Sequence, residues 1–257
     1  MNEQAVNRVS CEYMGPDKAV VVYEGAICHA GAAALIQMLE SLFGYYHYRR
    51  VDLRLESPGG SVEAMNYMLR QIGRHEQEGR VVAVSTTFMC ASAAAVLLAM
   101  GQWGDRRVDQ STALLFHTAR VDSNLHGMTA AVSNSIFQTL LVADQRLVSM
   151  LVGRMLHETG SELALSELIR SRLQQVETDW SKLDCCLGLS KINKEGRARP
   201  DWARALAKIA RPELQDGKFT VALKKHLYLR MQQDVRMDLR EAYALCLIDE
   251  VEGVLSD

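Results

Sequence analysis

The sequence predicts an α/β domain built on a mostly parallel sheet, and three observations carry that expectation. Short β-branched runs alternate repeatedly with segments of helical periodicity. That order calls for crossover connections between neighbouring parallel strands. The 257 residues are 48% apolar, ample for a large buried core.

Ala19–Tyr23 is the first strand, short and β-branched between charged neighbours. Ala30–Phe43 follows as a helix with Leu35, Met38, Leu39 and Leu42 on one face. Val51–Leu55 alternates apolar and charged residues as a strand does, then meets the turn Ser57-Pro58-Gly59-Gly60. Ser61 reads as the N-cap of a helix reaching Ile72, with Val62, Met65, Met68 and Leu69 on its apolar face. Arg80–Thr86 is a buried strand, Ala91–Met100 a helix of small residues, and Thr112–Phe116 a short strand. Thr129–His157 supports one long helix stopped by Gly160.

Domain organisation follows from where this pattern breaks. Residues 1–17 form a polar N-terminal segment, and residues 18–161 with 221–257 make the main domain. Residues 162–220 are rich in charge and helix formers, hold Pro200 and Pro212, and read as a helical insertion or subdomain. The basic cluster Lys191–Arg199 reads as a solvated loop.

Composition excludes several function classes. A net charge of −2 provides no global field for nucleic acid or anionic membrane. Six cysteines show no disulfide framework, and the pair Cys185-Cys186 lacks the second pair or histidine that a zinc site needs. No metal and no cofactor are expected. The N-terminus lacks a secretory pattern, and the apolar run Met89–Met100 is too short to span a bilayer. The expectation is a soluble cytoplasmic protein with no membrane or nucleic-acid partner.

Two residues stand out chemically. Ser92 lies among small neighbours, Ala91, Ala93 and Ala94, just after a β-branched run. Its hydroxyl suits a nucleophile near a helix start, and the same position suits an ordinary N-cap serine. His117 closes an apolar stretch 25 positions later (117 − 92) and suits either a general base or a structural histidine. Gly59-Gly60 permits close backbone approach to a ligand, or simply a tight turn.

These residues resemble the Clp proteolytic subunit family of serine peptidases. The likeness rests on Ser57-Pro58-Gly59-Gly60-Ser61-Val62, on Ala91-Ser92 before small residues, and on the step to His117. A C-terminal run, Gln233-Asp234-Val235-Arg236-Met237 before Glu241-Ala242 and Leu247-Ile248-Asp249, resembles the segment holding that family's triad aspartate. The resemblance implies a crotonase-type spiral of ββα units with a long handle-type helix. It also implies Ser92 as nucleophile, His117 as base and Asp234 as the orienting carboxylate, with Asp238 the nearest rival. The backbone N–H groups of Gly60 and Ala93 become the implied oxyanion donors.

The implied function is a serine endopeptidase acting on peptides or unfolded protein, assembled as a homo-oligomer, with an AAA+ unfoldase as a candidate partner. Ala93-Ala94-Ala95 replaces the family's Met-Gly-Ala, and Thr118-Ala119 its Gln-Pro. From His117 to Asp234 the chain runs 117 positions (234 − 117), far longer than is usual in the family. The altered neighbours of Ser92 and His117 keep a catalytically silent assembly or regulatory subunit as an alternative. A crotonase-type acyl-CoA enzyme is another, because both families use backbone oxyanion holes.

Overall fold

The computed structural model describes residues 7–120, 129–186, 201–214 and 217–252, without the side chains of 130 and 177–186. Four successive units share one plan, in which a main-sheet strand leads to a short second-layer segment and then a helix. β1 (Arg8–Met14) and β2 (Ala19–Glu24) precede α1 (His29–Gly44); β3 (Arg50–Glu56) precedes α2 (Val62–Gln77). β4 (Val81–Thr86) and β5 (Met89–Ala91) lead into α3 (Ala93–Ala99), and β6 (Arg106–Val108) and β7 (Ala113–Leu115) into α4 (Ala130–Thr159). Helices α5 (Glu162–Cys186), α6 (Asp201–Ile209), α7 (Lys218–Gln232) and α8 (Leu239–Ala244) precede β8 (Glu250–Val251).

The main sheet runs β1-β2-β3-β4-β6-β8, parallel throughout except for β1, which pairs antiparallel with β2 at the edge. β5 and β7 form the second layer, parallel to each other. Single bridges extend this layer from Ser57 to Cys90 and from Ile27 to Gly60. The mixed α/β architecture with a mostly parallel sheet is the one expected from the sequence.

β3 shows why the sheet has two unlike faces. Val51, Leu53 and Leu55 are fully buried, alternating with partly exposed Asp52, Arg54 and Glu56. The apolar face is covered by Leu35, Leu39 and Leu42 of α1, Met65 and Met68 of α2, and the whole of α3. The other face carries ion pairs, with Asp52 at 2.8 Å from both Lys18 and Arg50.

Differences from the sequence-based expectation have tertiary causes. β1 has no apolar run of its own; the open edge of β2 supplies its hydrogen-bond partners. α2 runs five residues beyond Ile72, because buried His75 packs on Phe43 with ring centroids 4.8 Å apart. Residues 89–91 belong to a strand, which postpones the helix until after Ser92.

The 162–220 stretch joins the same hydrophobic cluster as the sheet, through Leu165, Ile169 and Leu173 of α5 and Leu206 of α6. Arg172 of α5 is buried and donates to the carbonyls of Tyr243 (3.1 Å) and Ile248 (2.8 Å) and to the Asp249 carboxylate (3.1 Å). Arg106 of β6 grips the same carboxylate at 2.5 Å. The turn at 194–197 and the cluster 191–199 lie outside the described residues.

α4 ends where Gly160 adopts φ +79, as expected. Between 131 and 143 none of its residues is fully buried, so its N-terminal half stands off the core among the described residues. Residues Ala131–Thr159 are long and apolar enough to cross a membrane by length and composition alone.

Candidate active site

The second layer positions the site. Ser57 donates to the Met89 carbonyl at 2.9 Å and accepts from the Ala91 N–H at 3.0 Å, while the Ser92 N–H bonds the Leu115 carbonyl at 2.8 Å. Gly59-Gly60, Ser92 and His117 therefore follow the ends of three adjacent short segments. Glu56 locks the corner feeding the middle one. Its carboxylate accepts from the Thr87 N–H (2.7 Å), the Phe88 N–H (3.0 Å) and the Met89 N–H (3.1 Å).

Ser92 occupies a strained strand-to-helix turn, at φ 56 and ψ −126. Its side chain makes no capping bond, so the N-cap role that its position permits is not the role it plays. The strain matches the geometry of a nucleophile elbow, which pushes a hydroxyl out of the backbone path. Neighbouring Cys90 is no rival nucleophile: burial pushes its thiol far above the usual range.

The glycine pair fits closely against this turn. A methyl group on Gly59 would lie 2.4 Å from the Ser92 Cβ and 2.7 Å from the Ala91 carbonyl oxygen. Gly60, at φ 149, sits opposite Ile27, whose N–H and carbonyl are taken by Gly59 and Ser61 at 2.7 and 2.8 Å. In a parallel bridge of this kind the intervening Gly60 N–H points away from Ile27. Ala93 follows Ser92 as the first helical residue, where an N–H has no intrahelical acceptor.

The Nδ1 atom of His117 lies 2.6 Å from the Thr118 carbonyl oxygen. A carbonyl only accepts, so Nδ1 carries the hydrogen and, in the neutral ring, Nε2 is left with its lone pair. That tautomer is the one a general base requires.

Asp234 comes to the same neighbourhood from far along the chain. Its segment is tied to β7 by the Met237 N–H on the Leu114 carbonyl (2.8 Å), and to the residue just before β7 by Arg236 on the Thr112 carbonyl (2.5 Å). The Asp234 carboxylate is half-exposed and paired with Arg120. Among the described residues, no hydrogen bond joins Ser92 to His117 or His117 to Asp234, although their segments converge. Asp238, the rival, caps α8 through the Arg240 N–H (2.9 Å) and pairs with the Arg240 guanidinium at 2.6 Å.

One carboxylate was missed. Asp144 of α4 is only 7% exposed, and its Oδ1 accepts from the Ala119 N–H at 2.7 Å, two residues past His117. Burial pushes its carboxyl above the ordinary aspartate range, opposed by the Ala119 bond and the charge of His117. The available signal was a charged residue within the apolar stripe of Leu140, Leu147 and Leu151, at helical spacing. Among the described residues, no cluster of His, Cys, Asp and Glu could hold a metal ion.

The family model for Clp protease matches residues 11–161, more than half of the chain, including Gly60, Ser92 and His117. The chain belongs to the Clp protease family. No curated protein matches it. Membership in the Clp family accounts for the second-layer plan and for a peptidase-type scaffold. Asp234 lies beyond the matched span, in the segment that returns to β7 after α7.

Proposed function

We propose that this Clp-family chain is a serine endopeptidase in which Ser92 attacks the scissile carbonyl. The observation that carries the reading is the strained Ser92 turn, set against Gly59-Gly60 and bonded to the β7 backbone two residues before His117. In this reading His117 Nε2 takes the Ser92 proton, the alkoxide adds to the peptide carbonyl, and the N–H groups of Gly60 and Ala93 hold the oxyanion. His117 then protonates the leaving amine, and water activated by the same nitrogen releases the acyl group from Ser92. Asp234 is the proposed stabiliser of the imidazolium, reached once its carboxylate leaves Arg120.

Restricted access is part of the proposal. The outstanding half of α4 exposes Val132, Phe137 and Val142, an apolar surface suited to assembly with further copies. An oligomer with the sites inside would confine hydrolysis to unfolded or fed-in polypeptide in the cytoplasm, and an AAA+ unfoldase is the partner class that feeds such a chamber. One observation favours a second reading, a catalytically silent subunit: Asp234 sits on Arg120.

Labelling with a fluorophosphonate, alongside hydrolysis of an unfolded protein, separates the readings. The wild type should take label at Ser92 and cleave, and Ser92→Ala should do neither while keeping its thermal midpoint. A wild type that takes no label in its native assembly would assign the silent role.

A further inference from the structure

We infer that Asp144 is a positioning residue for His117: it anchors the 117–119 backbone from α4 and holds a negative charge beside the imidazole. The inference rests on the peptidase reading above and adds to it a carboxylate outside the Ser92, His117 and Asp234 set.

The geometry is specific. Oδ1 of Asp144 accepts from the Ala119 N–H at 2.7 Å, so α4 is stitched directly to the segment carrying the proposed base. The His117 ring is held at its other end by its own bond to the Thr118 carbonyl, at 2.6 Å. Thr118 is thus fixed between a ring bond on one side and the Asp144 tether on the other. A shift of Asp144 would move the carbonyl that selects the His117 tautomer.

The charge environment points the same way. Among the described residues, it is the charge of His117 that acts on Asp144. On its own helix the residues three and four positions away, Leu140, Leu141, Leu147 and Val148, are apolar. On the His117 segment Arg120 pairs with Asp234 of the loop before α8. Asp144, whose carboxylate interacts with the charge of His117, is placed to add to the stabilisation of the imidazolium that forms in the reaction.

The buried carboxylate also costs stability where it is ionised. Its folded-state pKa is raised, mainly by burial, so its stabilising contribution is complete only below the ordinary aspartate pKa and is lost as pH rises through the folded one.

Asp144→Asn and Asp144→Ala test the inference. Asn keeps an oxygen for the Ala119 N–H but removes the charge, whereas Ala removes both. Fluorophosphonate labelling of Ser92 is followed from pH 5 to 9, with thermal midpoints at pH 7.5. For D144N we expect an unreduced midpoint, labelling slowed roughly tenfold or more, and an acid limb moved to lower pH, since an imidazole without its anion loses its proton more readily. D144A should be slower still. A D144N rate and acid limb equal to wild type, with wild type labelled at Ser92, overturns the inference alone. So does a rate loss explained by a lowered midpoint with the acid limb unmoved. A wild type that takes no label overturns the peptidase reading and this inference with it.

Discussion

Asp234 pairs with Arg120, three residues past His117 in the chain. The pair is half-exposed on both sides, where an ion pair contributes about 0–1 kcal/mol and yields readily to competing partners. Arg120 therefore competes with the imidazole for the proposed triad carboxylate.

Arg120→Gln should raise the rate of Ser92 labelling, because Asp234 loses its competing partner, and should leave the thermal midpoint nearly unchanged. Asp234→Asn should lower the rate by roughly 10⁴, the order of loss when a triad histidine loses its orienting carboxylate. Equal rates for wild type and Asp234→Asn would remove Asp234 from the mechanism. Both rates are read from fluorophosphonate kinetics on the intact assembly.

Ser92 predicts a stability difference between two inactive variants. A non-glycine residue in such a backbone region costs about 1–3 kcal/mol, and glycine escapes that cost while adding about 0.5–1 kcal/mol of unfolded-state entropy. Ser92→Gly should thus be more stable than Ser92→Ala, by about 1 kcal/mol in urea unfolding. A Ser92→Ala protein as stable as Ser92→Gly would show that the turn carries no strain.

Asp249 predicts how acid unfolds the protein. Burial alone would raise its carboxyl, but hydrogen bonds and charge from Arg106 and Arg172 outweigh that and hold it below the ordinary aspartate value of 3.8. The unfolded chain then binds the proton more readily, so this stabilisation is present above pH 3.8 and disappears as pH falls through the folded value. Asp249→Asn removes the carboxylate that the buried Arg106 and Arg172 guanidiniums share and should cost about 3–5 kcal/mol near pH 7. Its stability should also fall less steeply than wild type between pH 5 and 3, measured by urea unfolding across that range.

Much of the scaffold was legible in the sequence because its signals are local. Ser61 announced α2 by residue type and does cap it, accepting from the Ala64 N–H at 3.1 Å. Gly160 announced the end of α4 by its freedom at positive φ. β1 was not legible, because its partly exposed residues show no burial pattern and only the edge of β2 makes them a strand. The small-residue run at 89–100 concealed a strand boundary for a similar reason. Cys90 and Ala91 pair with Leu114 and Leu115, more than twenty positions away.

The sequence by itself determined the alternating strand–helix plan, the glycine pair, and the order in which Ser92, His117 and Asp234 occur. Those features are periodicities, turn chemistry and residue types, each set within a few positions. Tertiary structure alone decided that Ser92 bends into a strained turn, that Arg120 holds Asp234, and that Asp144 is buried against the His117 segment. Partner choice between charges depends on which distant segments meet and how much water they exclude, and neither quantity is written in local pattern.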